Sequence, residues 1–189
     1  MARPREFDIE DAVEKAMNVF WETGYDGTSL PALLEGIGIS RGSLYKAFGS
    51  KHALFLRALD LYEKRYVDPG VARLNDDSIA GQERIASVFN GGITALSNGD
   101  RRGCLLCTSA AGAAHEDEAI AAKVQAQLDR LRDGFAVALA ATETPPDTIP
   151  AQAAALTLNY VGLRVMVRGG GDAADLKAAV SRTVGELAA

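Results

Sequence analysis

Residues 28–51 read TSLPALLEGIGISRGSLYKAFGSK, and this stretch decides the fold that we expect for the whole chain. It predicts two short helices joined by a tight turn. Thr28 or Ser29 can cap the first helix, because a side-chain hydroxyl accepts a hydrogen bond from a free backbone amide. The turn covers residues 36–39, where Gly38 can adopt the left-handed backbone conformation that other residues disfavour.

The second short helix is predicted to carry a polar outer face. Ser40 caps it, it runs from Arg41 to Phe48, and Gly49 closes it. Leu44 and Phe48 are one helical turn apart and face inward. The side chains left on the outer face are those of Arg41, Ser43, Tyr45 and Lys46. In a helix-turn-helix, a second helix of this kind fits the major groove of DNA.

The charge of this segment differs from the charge of the chain as a whole. Lys and Arg number 20 against 25 Asp and Glu, which gives a net charge of −5. Between Gly36 and Leu59 there is no acidic residue, and the basic residues are Arg41, Lys46, Lys51 and Arg57. Because only the local field on a docking face matters, the pattern favours DNA binding. Spacing alone leaves open a second interpretation, an all-α protein with no DNA partner.

Helical periodicity also dominates outside this segment. The chain has 189 residues, of which 48% are hydrophobic, and this is enough for a core. Apolar residues recur at intervals of three and four, and no stretch alternates as a half-buried β-strand does. Together with the glycine and proline breaks, the pattern predicts helices over residues 9–23, 51–68, 116–144, 150–168 and 173–187. We therefore expect an all-α fold.

The helix at 150–168 is apolar on more than one side. Leu156 lies on one face, whereas Leu158, Val161 and Val165 point elsewhere. A helix that is hydrophobic all round is buried all round, so in a small chain one face packs on its own core and the other on a second copy. A central helix of a single domain is the alternative. The interface that we expect for a homodimer consists of Leu156, Leu158, Val161, Val165, Leu176, Val180 and Val184.

Several neighbouring stretches carry a family resemblance. They are Thr28-Ser29-Leu30, GISRGSLYKAFGSK at residues 38–51, FWETGYDG at residues 20–27 and Lys51-His52-Ala53-Leu54-Phe55. Together they resemble the N-terminal domain of TetR-family transcriptional regulators over about residues 7–65. Pro31 and Gly36 depart from the usual pattern of the first short helix, and the second helix keeps the pattern.

The resemblance implies a homodimer that places one recognition helix in each of two successive major grooves of a double-stranded, pseudo-palindromic operator. It also implies a repressor that a small-molecule effector releases from DNA by binding in the C-terminal helical domain. We accordingly expect a DNA-binding domain at residues 1–50 and a connecting helix at 51–69. Residues 70–189 are expected to bind the effector and to dimerise.

The positions of the side chains suggest their contacts with DNA. Arg41 and Ser43 are expected at base edges or adjacent phosphates, and Tyr45 and Lys46 at the backbone or at bases near it. Lys51 and the hydroxyl residue that caps the first helix are expected to hold phosphates at helix N-termini, where free amides favour anions. The full set is Thr28, Ser29, Ser40, Arg41, Gly42, Ser43, Tyr45, Lys46 and Lys51.

An effector pocket is expected among the C-terminal helices, with an apolar or weakly polar small molecule as its ligand. The aromatic and thiol side chains proposed to line it are Tyr62, Tyr66, Phe89, Cys104, Cys107, Phe135 and Tyr160. Most of these side chains could equally belong to the core.

Cys104 and Cys107 form a C-x-x-C motif with several interpretations. A structural zinc site requires four ligands, and only His115 is near. A thioredoxin-like motif requires a strand before the helix, which this chain lacks. Packing within a helix is the simplest interpretation, and a pocket wall is the next. Residues 102–106, RGCLL, also look like a segment of one branch of the family in which some members sense electrophiles or oxidants through a cysteine, which requires a lowered thiol pKa.

Other classes of protein fit the sequence less well. Two histidines leave few groups for acid–base catalysis, and no nucleophile-elbow, Walker or dinucleotide motif occurs, so we expect no enzyme, cofactor or metal.

The longest uncharged stretch, residues 148–163, is too short to span a membrane. Arg3 and Arg5 precede no apolar signal core and form either an arm toward the minor groove or a solubilising tail; we expect a cytoplasmic protein. A helical dimer without DNA would not explain the acid-free basic segment.

Overall fold

The structure of the protein, a computed structural model, describes residues 7–185 as a set of packed helices. Within these residues there is no strand, which confirms the all-α prediction. The helices are α1 (Ile9–Thr23), α2 (Leu30–Ile37), α3 (Arg41–Phe48), α4 (Lys51–Tyr62), α5 (Asp68–Leu74), α6 (Gly81–Ser97), α7 (Leu105–Ala111), α8 (Glu118–Leu139), α9 (Ile149–Arg168) and α10 (Ala173–Gly185). Arg3 and Arg5, the expected N-terminal arm, lie outside the described residues.

The first four helices begin where the sequence supplies a capping side chain. The Asp8 carboxylate accepts hydrogen bonds from the first-turn amides of α1. The hydroxyls of Ser29, Ser40 and Ser50 accept from the amide three residues further on in α2, α3 and α4. Each such cap stabilises its helix by about 1 kcal/mol. Ser29 therefore caps α2, and Thr28 does not.

The turn between α2 and α3 is shorter than the expected span of residues 36–39. Helix α2 continues through Gly36 to Ile37, and Gly38 then adopts the left-handed conformation, with φ 79° and ψ 32°. A Cβ at Gly36 would lie 2.5 Å from Cγ2 of Val19 on α1, closer than a side chain allows. This glycine therefore permits the close approach of α1 and α2.

The long helix after α3 does not end before Pro69 as expected. A π turn at Glu63–Val67 connects α4 to α5, which continues to Leu74. Proline has no amide hydrogen and crowds the preceding helical turn. The amide of Asp68 donates to the carbonyl of Glu63, five residues earlier, so the widened turn lets the helix continue into the proline. Such π turns are frequent at functional sites.

Two hydrophobic cores organise the helices. The first is formed by α1–α4 and also includes Leu105 of α7 and Ile120 of α8, both of which are 0% exposed. The second contains Leu74, α6, the rest of α8, α9 and α10. The core of the N-terminal helices is therefore completed by residues of α7 and α8, more than 40 positions beyond the end of α4, and α8 belongs to both cores.

No helix is predicted from the sequence for residues 81–97, where the structure has α6. Gly91 and Gly92 obscure the pattern, since each lowers helix propensity by about 1 kcal/mol relative to alanine. Burial of Ile85 and Phe89 in the second core supports the helix despite the glycines. Tertiary packing thus outweighs local propensity here.

Residues 7–185 contain no helix that is both long and apolar enough to cross a membrane. The same residues contain no group of three or more His, Cys, Asp and Glu side chains that could hold a metal ion.

Candidate functional site

Helix α3 presents a cationic and aromatic surface above a well-packed base. Leu44 and Phe48 are 0% and 6% exposed and fix the helix to the first core, as predicted. Arg41, Tyr45 and Lys46 are exposed on the opposite side. The guanidinium carbon of Arg41 lies 5.7 Å from the centre of the Tyr45 ring, within range of a cation–π interaction.

The first turn of α3 adds small polar residues to this surface. The Ser40 hydroxyl accepts a hydrogen bond from the Ser43 amide at 3.1 Å, and the two hydroxyls lie 2.9 Å apart. Gly42 is exposed, and no side chain covers the backbone at this point. The capped helix N-terminus and Arg41 together form a site that favours an anion. We call the exposed face of residues 40–46 the α3 surface.

Two expected DNA contacts are used inside the fold instead. Thr28 is 2% exposed, and its hydroxyl donates to the carbonyl of Gly24, so it cannot reach a phosphate. Lys51 donates from Nζ to the carbonyl of Tyr25 at 2.6 Å and lies 4.2 Å from the centre of that ring. Burial lowers the pKa of Lys51. Both side chains stabilise the segment between α1 and α2.

A cavity of about 590 Å³ lies between the N-terminal helices and α6, α8 and α9, within the usual range for small-molecule sites. Of the predicted pocket residues, those that line it are Tyr62, Tyr66, Cys104, Cys107 and Tyr160. Phe89 and Phe135 do not, so the prediction for these two is wrong. They are 1% and 0% exposed in the second core, where their ring centres are 5.8 Å apart.

Three aromatic rings form one wall of the cavity. The Trp21 ring packs edge-on against Tyr62 and Tyr66, with centres 4.9 Å and 4.8 Å apart. Tyr62 and Tyr66 stack on each other at 5.0 Å. Rigid aromatic rings offer a flat apolar surface for the body of a ligand. Tyr66 belongs to the π turn, which therefore places one of these rings.

The two thiols lie beside a buried tyrosine and a cation. The Tyr62 hydroxyl donates to Sγ of Cys104 at 3.4 Å. Hydrogen bonds from Cys107 and Tyr62 lower the pKa of Cys104, and the positive charge of Arg164 acts in the same direction. The pKa of Cys107 is raised, because its S–H donates to Cys104 and because it is buried. Within the pair, Cys104 is the thiol that more readily loses its proton.

The cavity is also lined by residues that the sequence did not single out for it. Trp21, Gln127 and Arg164 all line the cavity. Gln127 interrupts the apolar stripe between Val124 and Leu131 on α8, and a buried polar residue in such a stripe was a usable signal. Trp21 and Arg164 carry no comparable signal, since only the tertiary fold brings α1 and α9 together.

The cavity wall is connected to the helix-turn-helix through α1. The guanidinium of Arg102 lies 3.9 Å from the centre of the Trp21 ring and donates to Oδ1 of Asn18 at 2.9 Å. Arg168, at the end of α9, donates to the carbonyl oxygens of Trp21 at 3.0 Å and Glu22 at 2.8 Å. Since the last carbonyls of a helix lack internal partners, Arg168 caps α1 from another part of the chain.

The outer face of α9 is the exposed part of the expected dimer surface. Leu158 is 73% exposed, and Val165 and Met166 are 53% and 54% exposed. Leu156, Leu176 and Val180 are buried in the chain's own core, so they are not available to a partner. Val161 lines the cavity, and Val184 packs partly buried on the second core. Of the seven residues expected at the dimer interface, the exposed ones are Leu158 and Val165, both on the outer face of α9.

The fold and these sites define a helix-turn-helix DNA-binding regulator with a separate ligand cavity. The model of the family "Bacterial regulatory proteins, tetR family" matches residues 12–58. The HTH-type transcriptional regulator YezE of Bacillus subtilis (strain 168) is 35% identical over 136 residues, which are 71% of this chain and 70% of YezE. The HTH-type transcriptional repressor ComR of Escherichia coli (strain K12) is 37% identical over 87 residues, 46% of this chain and 41% of ComR.

A solved structure extends the similarity to the whole chain. A cysteine mutant of the TetR-family transcriptional regulator CifR, in complex with 26-base-pair double-stranded operator DNA, superposes with a TM-score of 0.85. It is 30% identical, and the match covers 97% of this chain and 98% of CifR. The chain belongs to the TetR family and is a ligand-responsive, DNA-binding transcriptional regulator.

Proposed function

We propose that the protein is a homodimeric repressor that binds a pseudo-palindromic operator through the α3 surface and releases it when a small molecule fills the cavity. One observation carries the DNA-binding part. The exposed face of α3 holds Arg41, Tyr45 and Lys46 on a buried Leu44–Phe48 base, in a segment without acidic residues. The proposed contact set is completed by Ser29, Ser40, Gly42 and Ser43. It no longer includes Thr28 and Lys51, which stabilise the fold instead.

The two-fold symmetry follows from the outer face of α9. Leu158, Val165 and Met166 form an exposed apolar strip, and such strips on a folded protein commonly mark an interface. A second copy of α9 packed against this strip would relate the two α3 surfaces by a two-fold axis. A dimer of helix-turn-helix units then reads two half-sites about one helical turn of DNA apart.

The proposed release step uses the contacts around Trp21. A ligand in the cavity would press on the ring of Trp21, whose carbonyl and whose neighbour Glu22 are held by Arg168 of α9. Movement of the ring would therefore shift the end of α1 relative to α9. Since α1 supports α2 and α3, the distance between the two α3 surfaces of the dimer would change.

Selection of random duplex DNA by the purified protein tests this function. We expect enriched sequences with inverted half-sites about 10 base pairs apart from centre to centre. The Arg41→Ala variant should fail to enrich them, and Arg132→Ala, an exposed arginine on α8, should behave as wild type. Enrichment of a single asymmetric site, or equal enrichment by Arg41→Ala, would contradict the proposal.

The proposal includes no catalytic step. The two histidines are not placed as a catalytic pair: Nε2 of His52 lies 2.8 Å from Oδ2 of Asp117, and His115 is exposed on a 3-10 turn. We therefore propose a regulator and not an enzyme.

A second candidate function is regulation by electrophiles at Cys104. The lowered pKa of this thiol and its place in the cavity wall favour the thiolate as a nucleophile. Addition to an α,β-unsaturated carbonyl compound would form an S–C bond, break the C=C π bond and place a proton on the α-carbon. Operator release by N-ethylmaleimide that is lost in Cys104→Ser and kept in Cys107→Ser would support this candidate. Release retained in Cys104→Ser would exclude it.

A further inference from the structure

Gln127 is an unpaired amide in the wall of the cavity. The residue is 1% exposed, and neither Oε1 nor Nε2 has a hydrogen-bond partner among the described residues. Buried side-chain amides are normally satisfied, because leaving one unpaired removes the hydrogen bonds that water would supply. A leucine or methionine here would match the apolar neighbours Val124 and Leu131 on the same stripe of α8. An amide without a partner at this position lowers the stability of the fold.

Two other cavity residues carry buried nitrogen atoms without partners. They are Nε1 of Trp21 and Nε of Arg164, and both residues line the same cavity as Gln127. Each of these atoms donates one hydrogen bond, and the Gln127 amide donates through Nε2 and accepts through Oε1. The unpaired donors thus exceed the unpaired acceptors. A matching ligand must offer mainly acceptor oxygens, with one donor beside them.

Arg164 brings a positive charge into this wall and forms no ion pair with a carboxylate among the described residues, although Asp100, which also lines the cavity, attracts it electrostatically. Its terminal nitrogen donates to the carbonyl of Gly103, and the other groups that interact with its charge include the tyrosine and cysteine side chains nearby. A carbonyl oxygen with high electron density, as in an amide, suits such a cation. The stacked rings of Tyr62 and Tyr66, with the Trp21 ring edge-on against them, favour a flat body.

We infer that the ligand of this cavity is a small aromatic or cyclic compound with an amide-like group, in which a carbonyl oxygen and an N–H or O–H donor lie side by side and pair with the Gln127 amide. This inference rests on the proposed function, since it names the ligand class of the proposed effector site. Gln127 is then the residue that determines specificity.

Benzamide, acetophenone and benzoate test the pairing directly. The three probes have similar shapes and place NH₂, CH₃ or O⁻ beside the same carbonyl group. The single tryptophan, Trp21, lines the cavity, so its fluorescence reports binding in the full chain. We expect benzamide to bind wild type about tenfold more tightly than acetophenone, the effect of one satisfied hydrogen bond. Benzoate should also bind more weakly than benzamide, because it offers no donor to Oε1.

Variants on α8 separate the effect of the Gln127 amide on ligand binding from the effect of the shape of the cavity. Gln127→Leu and Gln127→Met should lose the preference for benzamide over acetophenone while melting at or above the wild-type temperature. Gln125→Leu, an exposed glutamine on the same helix whose amide bonds to Asp129, should keep the preference. A preference unchanged in both Gln127 variants would overturn the inference. Tightest binding by benzoate would also overturn it, since the cavity would then select an acid.

The readouts distinguish this inference from the proposed function. Fluorescence binding is measured without DNA, whereas the proposed function is measured by selection and release of operator. Gln127-dependent binding of benzamide supports the inference even when no operator is selected. Operator release by an apolar compound, unchanged in Gln127→Leu, would support the proposed function and overturn the inference.

Discussion

The α3 surface and the cavity differ in how the chain builds them. The α3 surface comes from one continuous stretch, residues 40–46, held by Leu44 and Phe48 at neighbouring turns of the same helix. The cavity wall takes Trp21 from α1, Tyr66 from the π turn, Gln127 from α8 and Arg164 from α9. One site is local in sequence, and the other is assembled from distant elements.

The α3 surface and the cavity are nevertheless connected, because residues of both sites belong to the first core. Leu105 of α7 and Ile120 of α8 pack with α1–α4 in the first core. The helix-turn-helix and the cavity region are therefore joined by buried side chains as well as by α4. The following predictions test whether the two regions act as one unit, and which residues belong to each.

Leu105→Ala is expected to have the largest effect. The side chain is 0% exposed, so its truncation should lower the free energy of unfolding by about 2–5 kcal/mol. Chemical denaturation should show one transition in which the N-terminal helices unfold together with the rest. Val137→Ala, at a side chain that is 48% exposed, is the control and should change stability by less than about 0.5 kcal/mol. Independent unfolding of the N-terminal helices would show that the first core does not join the two regions.

Arg41→Ala should weaken operator binding by about 1–3 kcal/mol and reduce discrimination against random DNA. Lys46→Ala should weaken binding to all sequences and lower the slope of the salt dependence by about one unit, since it removes one phosphate contact. Binding titrations at several salt concentrations measure both effects. Equal losses on operator and random DNA for Arg41→Ala would remove the assignment of Arg41 to a base.

Arg168→Met should lower the free energy of unfolding by about 1–3 kcal/mol, because charged hydrogen bonds to the carbonyls of Trp21 and Glu22 are lost. The link between α9 and α1 should weaken, so the ligand that releases operator from wild type should release it less effectively from the variant. The exposed Lys177 on α10 supplies the control, Lys177→Met. Normal release by Arg168→Met would show that this link does not transmit the ligand's effect.

The Lys51→Met variant tests whether Lys51 stabilises the fold or contacts DNA. Loss of the bond to the Tyr25 carbonyl should cost about 1 kcal/mol of stability, measured by denaturation. The slope of the salt dependence of DNA binding should stay close to wild type, in contrast to Lys46→Ala. If Lys51→Met lowers the slope of the salt dependence as much as Lys46→Ala does, Lys51 contacts a phosphate after all.

The smallest expected effect concerns pH. The Arg102 guanidinium bonds to Asp100 and holds the pKa of that carboxyl below its ordinary value. Asp100 therefore stabilises the fold above the ordinary carboxyl pKa, and this contribution is lost as the pH falls through the lower folded value. Asp100→Asn should reduce stability at neutral pH and match wild type at the acid end of a series of thermal melts. An equal difference at every pH would assign the effect to something other than this charge.

The helices and the α3 surface are largely predictable from the sequence. Asp8, Ser29, Ser40 and Ser50 act as caps, and Gly38 makes the turn, because these residues act on backbone groups within three positions of themselves. The errors of the prediction share a different cause. The position of Lys51 predicts a phosphate contact, but its ammonium bonds to a carbonyl 26 residues away, which spacing does not reveal.

The prediction of which aromatic residues line the cavity is limited in the same way, because it depends on contacts between distant residues. Tyr62 and Phe135 are similar in the sequence, each on an apolar helical stripe, yet only Tyr62 lines the cavity. Gln127 and Arg164 acquire their importance from the elements packed around them.

The all-α class, the helix caps and the polar face of α3 can be deduced from the sequence, since these depend on hydrogen bonds and periodicity over a few residues. The packing of the helices sets which side chains surround the cavity, which face of α9 stays exposed and how Arg168 reaches α1. Such contacts depend on where separate helices meet, and their free energy comes from packing between residues far apart in the chain.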